Sequence, residues 1–422
     1  MRLLPHRRCR LRPRLPALRP CVVALCWAFA AHAAAGLSCD EATQLALAQA
    51  PSLRAQQQAL AGAQAAAPAA ATLPDPRLIV GVDNLPVSGA DRWSLSRDFM
   101  TMQRIGLMQD VPNRAKREAR AAGAQARIDR ETALLVVARL LVQREAALAW
   151  SGAYFAQRRL AQFDALDTEN RLLQDTLGAR IAAGRAQPAE HTLARQEALA
   201  LADRRDDALR DVAKARSALA RWVGARATEA LAGEPPALAV QADTVRAGLH
   251  RHAELQPYAA LQAQARAEAS EADAEQRGDW AWELVYSKRG PQYGDMVSMQ
   301  LTFDLPWQKS QRQLPQLAAK QQEALRIESE REDTVRRHRD EVEGQLAELA
   351  ALEAQAARLL ANGQPLAAER VALAMASYQA GRGDLASVLG ARREAVETLL
   401  RAIELDAQRS ALRIRLNSLM AE

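Results

Sequence analysis

The chain has 422 residues, of which 49% are apolar but only 4% aromatic, and its formal net charge is +6. Seven arginines and no acidic residue occupy the first 38 positions, and the rest of the chain holds 49 basic against 50 acidic residues. This near-neutral remainder removes the main support for a nucleic-acid-binding function. Abundant alanine, with leucine, glutamate, arginine and glutamine, is typical of long helices packed through small side chains.

The first 35 residues are predicted to be a secretory signal peptide. An arginine-rich start precedes the apolar run "CVVALCWAFAA" (21–31) and the small-residue stretch "HAAAG" (32–36). The apolar run of eleven residues is too short for a transmembrane helix. Since no later segment approaches eighteen consecutive apolar residues, we expect an exported protein that is cleaved near residues 33–35 and has no transmembrane helix.

Cys39 is the only cysteine after this segment, so a disulfide within one chain is excluded. Two roles remain for Cys39: a lipidated mature N-terminus, or an apolar position at the start of the first helix. The preceding residues "AGLS" fit a lipoprotein signal poorly, because Gly36 stands where leucine is expected. We therefore favour the helix position and keep lipidation as the alternative.

Similar segments recur about 200 residues apart along the chain. The matching pairs are "APSLRAQQQALAGAQA" (50–65) with "HAELQPYAALQAQARA" (252–267), "IGLMQDVP" (105–112) with "MQLTFDLP" (299–306), and "AAGRAQPAEHTLARQEA" (182–198) with "QAGRGDLASVLGARREA" (379–395). Three matches in the same order, at offsets of 194 to 202 residues, indicate a duplicated domain-sized unit rather than a short solenoid repeat.

Each repeat is predicted to contain the same elements in the same order. In the first repeat, residues 36–235, they are a helix at 38–73, a β-hairpin at 76–111, a helix at 113–182, a turn at 183–188 and a helix at 188–228. In the second repeat, residues 236–422, they are a helix at 242–278, a β-hairpin at 279–306, a helix at 307–379, a turn at 380–385 and a helix at 385–420. A helix of about 70 residues is roughly 105 Å long, so the sequence predicts an elongated helical bundle.

Both turns between long helices contain glycine. Gly184 and Gly381 stand where a helix end prefers glycine. Pro188 suits the first turn of the returning helix in the first repeat, and Asp384 is a suitable N-cap in the second.

The second hairpin alternates apolar and polar residues with period two, as in a transmembrane β-strand with one face in lipid. The predicted lipid-facing residues are Trp280, Trp282, Leu284, Tyr286, Val297, Met299, Leu301 and Phe303. The predicted lumen-facing residues are Glu283, Ser298, Gln300, Thr302 and Asp304. The first hairpin shows a weaker alternation, and a soluble hairpin with one buried face would give the same pattern.

Aromatic residues favour the membrane interpretation. Eight of the fifteen that follow the signal lie in or beside the two hairpins, and aromatic rings favour membrane interfaces. Four strands cannot close a membrane barrel, whose smallest members have about eight, and open edges are not stable in lipid. A membrane role therefore requires several chains to pool their hairpins.

The exported chain resembles the TolC family of outer-membrane efflux channels along essentially its whole length. The resemblance is carried by the duplicated plan, by "LSCDEATQLALAQAPSL" (37–53) and "LPDPRL" (73–78), by the strand ends "DVP" and "DLP", and by the two Ala-Gly-Arg turns. The segments "LPDPRLIVGVDNLPVSG" (73–89) and "RDFMTMQRIGLMQDVPNRAKR" (97–117) are most similar to the CzcC-type branch, which serves heavy-metal efflux.

This resemblance implies a mainly α fold with a small β part. Long antiparallel helices would form a periplasmic α-barrel, and a homotrimer would share a 12-strand barrel in outer-membrane lipid, with four transmembrane strands from each chain. The chain would be the passive exit duct of a tripartite efflux system, without a cofactor or a catalytic site.

The same resemblance makes the two turns the periplasmic tips of the duct. They would dock a periplasmic adaptor (membrane fusion protein) and, through it, an inner-membrane RND-type pump. The implied docking residues are Gly184, Arg185, Gly381, Arg382, Gly383 and Asp384. Relatives place acidic residues just past the second tip, where this chain has Ser387 and Gly390, so an acidic cation-selective ring is not expected here.

No phosphate-binding glycine loop, nucleophile elbow or metal-ligand cluster is recognised, so the chain is not expected to be an enzyme. We expect His250 and His252 at the surface, and His191 and His338 as structural residues on helices. The remaining alternative is a soluble periplasmic coiled-coil scaffold or adaptor. An adaptor, however, should carry one helical hairpin flanked by compact β domains, which the sequence does not indicate.

Overall fold

The computed structural model describes residues 36–184 and 186–419; the predicted signal peptide (1–35) and Arg185 lie outside the described residues. In the first half of the described chain, the elements in order are α1 (Cys39–Gln49), α2 (Pro51–Ala71), β1 (Arg77–Asp83), β2 (Met102–Val111), α3 (Arg114–Ala182) and α4 (Pro188–Val223). A 3-10 turn at Gly224–Thr228 follows α4.

The first helix is divided at Ala50 instead of running unbroken over 38–73. Ala50 has φ −59° and ψ 120°, outside the helical region. The cause is Pro51, because proline lacks an N–H and its ring disfavours a helical conformation in the residue before it. Pro51 is well placed as the first residue of α2.

In the second half, the elements in order are α5 (Ala242–Ala247), α6 (Gln256–Ala274), β3 (Trp280–Lys288), β4 (Met296–Phe303), α7 (Gln313–Arg358), α8 (Gln364–Gln379) and α9 (Leu385–Asn417). The helix expected at 242–278 is interrupted by 3-10 turns at Leu249–Arg251 and Ala253–Leu255. A new helix starts at Gln256, where Pro257 is tolerated in the first turn.

The long helix of the second half also departs from a regular α-helix. It starts at Gln313 rather than at 307, after hydrogen-bonded turns. A π-helical segment, Leu359–Gly363, joins α7 to α8 without leaving helical backbone angles. Pro365 lies two residues after the end of this segment. A proline inside a helix removes one hydrogen bond and displaces the carbonyl four residues earlier.

The four strands form one antiparallel sheet in the order β1-β2-β3-β4. The predicted class, mainly α with a small β part, is therefore confirmed. In the described ranges, no helix combines the length and the apolar character needed to cross a membrane.

Buried apolar side chains fall into separate clusters along the helices rather than one central core. The cluster nearest the N-terminus surrounds Trp150, which is fully buried and packs with Leu37, Leu219 and Ile414. A second cluster joins α7 to α9 through residues such as Val342. This distribution suits an elongated bundle, in which each short stretch of helix packs against its own neighbours.

The expected surface position of His252 is wrong. His250 is exposed as expected, but His252 is buried and its ring stacks on that of buried His338, with centroids 4.0 Å apart. The pairing depends on the 3-10 turn that follows Gly248, which a sequence-based helix assignment over 242–278 could not anticipate. Nε2 of His338 also lies 3.1 Å from Oε2 of Glu254.

We expect the fold to lose stability between about pH 6.5 and pH 4. Burial, and then the neighbouring His338, lower the pKa of His252 to about 4. An unfolded histidine titrates near 6.5, so below that pH the unfolded chain takes up the proton and the folded chain resists it. The loss should be on the order of 2 to 3 kcal/mol in the free energy of unfolding.

Thermal unfolding midpoints measured from pH 7.5 to pH 4 check this prediction. His252→Gln should flatten the pH dependence in this window, whereas His250→Gln, at an exposed neighbouring position, should leave it unchanged. An equally steep pH profile in His252→Gln and in the unmodified chain would contradict the prediction.

Candidate functional site

One face of the sheet is apolar across all four strands. Residues opposite each other in neighbouring strands share a face, and the register gives a row of four such residues. The row consists of Leu78, Leu107, Leu284 and Met299. All four side chains are exposed, Met299 by 70%. Every residue predicted to face lipid on β3 and β4 lies on this face.

The opposite face of the sheet is polar and contains small residues. Glu283 pairs with Gln300, while Ser298 and Thr302 lie opposite Val285 and Ala281. The four predicted lumen-facing residues within β3 and β4 thus share one face. The fifth, Asp304, follows the last residue of β4, where its backbone N–H donates to the Asp279 carbonyl at 2.8 Å.

Strands β1 and β2 add charged residues to this polar face that were not predicted from the sequence. Arg104 of β2 lies 3.3 Å from the carboxylate of Asp83, and Arg77 pairs with Asp110. The sequence of β2 does contain an indication of this polar face, because Arg104 and Asp110 alternate with apolar residues. It was obscured by Met102 and Met108 on the same face.

A hydrogen-bonded cluster fixes the sheet on the helices. The backbone N–H of Asn113 donates to Asp279 just before β3 at 2.9 Å, and Lys116 Nζ lies 3.2 Å from the same carboxylate. The Asn113 side chain also caps α3 by accepting from the Lys116 N–H at 2.9 Å. The start of the longest helix is therefore tied to the start of a central strand.

At the far end of the helices, the two glycine turns have left-handed backbone conformations. Gly184 has φ +68° and Gly381 has φ +70°. In the second turn, the N–H groups of Arg382 and Gly383 donate to the Ser377 carbonyl at 2.9 and 3.1 Å. Asp384 then caps α9 by accepting from the Ser387 N–H at 2.9 Å.

The two turns are packed together through a buried cluster of side chains. It consists of Leu177, Ala194, Tyr378, Leu385, Val388 and Leu389. The Tyr378 hydroxyl donates to the carboxylate of Glu190 at the start of α4, and the guanidinium of Arg180 lies 4.6 Å from the Tyr378 ring centroid. Burial and the Glu190 carboxylate raise the pKa of Tyr378 to about 12, so the hydroxyl stays protonated and able to donate.

The predicted docking residues divide into exposed and undescribed positions. Gly184, Gly381, Arg382, Gly383 and Asp384 are all exposed, while Arg185 lies outside the described residues. Tyr378, Glu190 and Arg180, which join the turns, were not predicted as site residues. Glu190 and Tyr378 are 188 positions apart, so only the pairing of the two glycine turns could have suggested their contact.

Two further features bear on metal and thiol chemistry. Cys39 lies in the Trp150 cluster with 8% of its surface exposed. Across 36–184 and 186–419, no three or more histidine, cysteine, aspartate or glutamate side chains are grouped so that they could hold a metal ion.

The fold is shared with several solved membrane proteins. A membrane protein from Pseudomonas aeruginosa superposes with a TM-score of 0.78 at 18% identity, covering 90% of this chain and 89% of that one. The outer membrane protein VceC from Vibrio cholerae gives 0.76 at 19% identity, covering 90% and 95%. The Campylobacter jejuni CmeC outer membrane channel gives 0.75 at 10% identity, covering 90% and 85%. Neither a family model nor a curated protein matches the sequence.

We expect Tyr378→Phe to destabilise the packed turns, because Oε2 of the partly buried Glu190 carboxylate loses the hydrogen bond from the Tyr378 hydroxyl. A hydrogen bond to a charged group contributes about 1.5 to 3 kcal/mol. In a double-mutant cycle with Glu190→Gln, the two changes should therefore be non-additive by about 1 kcal/mol or more in the free energy of unfolding.

Tyr154→Phe is the matched control, since Tyr154 belongs to the Trp150 cluster instead of the turns. Denaturant unfolding of the four cycle members and this control measures the coupling. Additive effects of Tyr378→Phe and Glu190→Gln would show that the two side chains do not interact.

Proposed function

We propose that three copies of this chain form the outer-membrane exit duct of a tripartite efflux system. The observation that carries the proposal is the sheet at the end of the helices, with an exposed apolar face across four strands and a polar face behind it. The shared fold with outer-membrane channels supports the same role.

The edges of the sheet support assembly from several copies. Among residues 36–184 and 186–419, β1 and β4 each pair with another strand on one side only. An edge strand in lipid would leave backbone N–H and C=O groups without partners, which costs several kcal/mol per group. We propose that β4 of one copy pairs with β1 of the next, so that three copies close a ring of twelve strands.

The polar face would then line the lumen. Its neutral donors and acceptors, with the Arg104–Asp83 and Arg77–Asp110 pairs, would let hydrated solutes pass without a tight binding site. We propose that the chain is passive in transport and that a partner pump supplies the energy. Glu283, opposite Gln300, is the acidic residue of β3 on this face.

The exposed turns would be the docking surface for a periplasmic adaptor. Their main-chain geometry is set by the two positive-φ glycines and by the Asp384 cap. The buried Tyr378 cluster would hold both turns at the same height. The adaptor would therefore meet two rigid, neighbouring turns in each copy and six in the assembled ring.

Heavy-metal cations are the substrates that we propose on the strength of segments 73–89 and 97–117, which resemble the CzcC-type branch. Deleting the chain from its host should lower the tolerated concentrations of zinc, cadmium or cobalt salts severalfold, and expression from a plasmid should restore them. Tolerance to dyes and detergents serves as the control. Loss of dye tolerance with unchanged metal tolerance would assign the duct to organic substrates instead.

We expect Met299→Lys to block assembly in the outer membrane. Met299 lies on the apolar face, where lysine near the middle of a bilayer costs about 2 to 4 kcal/mol. Gln300→Lys is the matched control, because it places the same charge one residue away on the polar face. Outer-membrane fractionation and the oligomer mass in detergent measure both effects.

The unmodified chain and Gln300→Lys should give a trimer of about three times the processed chain mass in the outer-membrane fraction. Met299→Lys should give little or none. If the unmodified chain is a periplasmic monomer or dimer, the duct is wrong and the scaffold alternative stands. Equal assembly of both variants would contradict the assigned faces.

A further inference from the structure

Residues 36–38 form a short bridge with the segment that follows α4. The Leu37 N–H donates to the Ala230 carbonyl at 2.7 Å, and the Ala232 N–H donates to the Leu37 carbonyl at 3.1 Å. The two segments run parallel at Leu37 and Leu231. We call this contact the N-terminal bridge.

Leu37 is also part of the core. Its side chain is fully buried in the Trp150 cluster, and the Trp150 indole N–H donates to its carbonyl at 2.8 Å. Trp150 is itself fully buried. Without Leu37, this indole N–H would lose its partner inside the core, and unpaired buried donors are strongly disfavoured.

The residues on either side of Leu37 are equally constrained. A Cβ on Gly36 would lie 2.3 Å from the Ala230 carbonyl oxygen, so the bridge needs glycine there. Ser38 caps α1: its Oγ accepts from the Glu41 N–H at 3.2 Å, and its own N–H donates to Glu41 Oε2 at 3.0 Å. The chain from Gly36 to Ser38 is therefore built into the folded structure.

From the N-terminal bridge we infer that processing cuts the exported chain before Leu37, and that Cys39 remains an internal residue with a free thiol. In this step, water hydrolyses one peptide bond, the leader keeps the new carboxylate, and the mature chain gains a free α-amine. Lipidation at Cys39 would instead cut the bond after Ser38 and discard Leu37. The inference rests on the proposed function in one respect, that the chain is exported.

The position of Cys39 agrees with this assignment. Its side chain packs in the same cluster as Leu37, between α3, α4 and α9 residues such as Trp150, Leu219 and Ile414. A lipid attached to Sγ would have to leave this cluster. Burial, with a smaller effect of Asp40, also raises the pKa of the thiol to about 11, which keeps it protonated and unreactive.

The intact mass and the N-terminal sequence of the protein purified from membranes test the inference. We expect an unblocked N-terminus at or before Leu37, no acyl mass, and a Cys39 thiol that maleimide labels only after denaturation. Cys39→Ala should stay in the membrane fraction at the level of the unmodified chain. A blocked N-terminus at Cys39 that carries a diacylglyceryl mass would overturn the inference and leave the duct proposal standing.

An uncleaved chain of 46.0 kDa in the cytoplasm would overturn this inference and the export that the duct requires. A second pair of variants tests the bridge itself. Gly36→Ala should lower the thermal midpoint by several degrees, whereas Gly62→Ala, where an added Cβ would meet nothing within 4 Å, should not. In a mature chain whose sequenced N-terminus retains Gly36, equal midpoints would show that the bridge is not formed.

Discussion

The two edges of the four-stranded sheet, which pair with no other strand in the part of the chain that the structure describes, constrain the rest of this molecule. The exposed apolar face of the sheet is unfavourable in water, and its two open edges are unfavourable in lipid. In the proposed trimer, pairing between copies would remove the edges and leave the apolar face for lipid, so the isolated chain would be an incomplete structure. In that assembly the long helices of the copies would be brought side by side, because they extend from the same chains whose strands would close the ring.

The sheet can meet this constraint only if the helices hold its strands in place. The Asp279 cluster does so at the start of α3, where one carboxylate accepts from the Asn113 N–H and lies close to Lys116. The N-terminal bridge likewise holds the segment between the two halves of the chain, by hydrogen bonds with Leu37. Both devices join residues that are far apart in sequence, and both place a buried or half-buried polar group where a missing partner would be costly.

Much of this architecture could be predicted from local pattern. Period-two alternation assigned the faces of β3 and β4, because strand geometry sends neighbouring side chains to opposite sides. The glycine turns were placed from Gly184 and Gly381, both of which have positive φ. The long helix α3 was expected at 113–182 and spans Arg114–Ala182, since no proline interrupts it.

What could not be predicted depends on contacts between distant segments. The sequence around His252 predicts the start of a surface helix. In the structure a 3-10 turn instead places the His252 ring against that of His338, 86 positions away. The contact of Tyr378 with Glu190 has the same character. The π-helical segment before Pro365 is different: the proline is visible in the sequence, but how the helix absorbs it depends on packing.

The two glycine turns, which the sequence predicts to be equivalent parts of two repeats, differ in how they are capped. Asp384 caps α9 alone, whereas Gln187 and Glu190 share a capping box at the start of α4, and Glu190 also accepts from Tyr378. The Glu190 carboxylate, which caps the helix after the first turn, therefore also binds a side chain next to the second turn. A partner that docked on both turns would therefore meet two different surfaces, and beside the second turn it would meet Ser387 and Gly390 rather than acidic side chains.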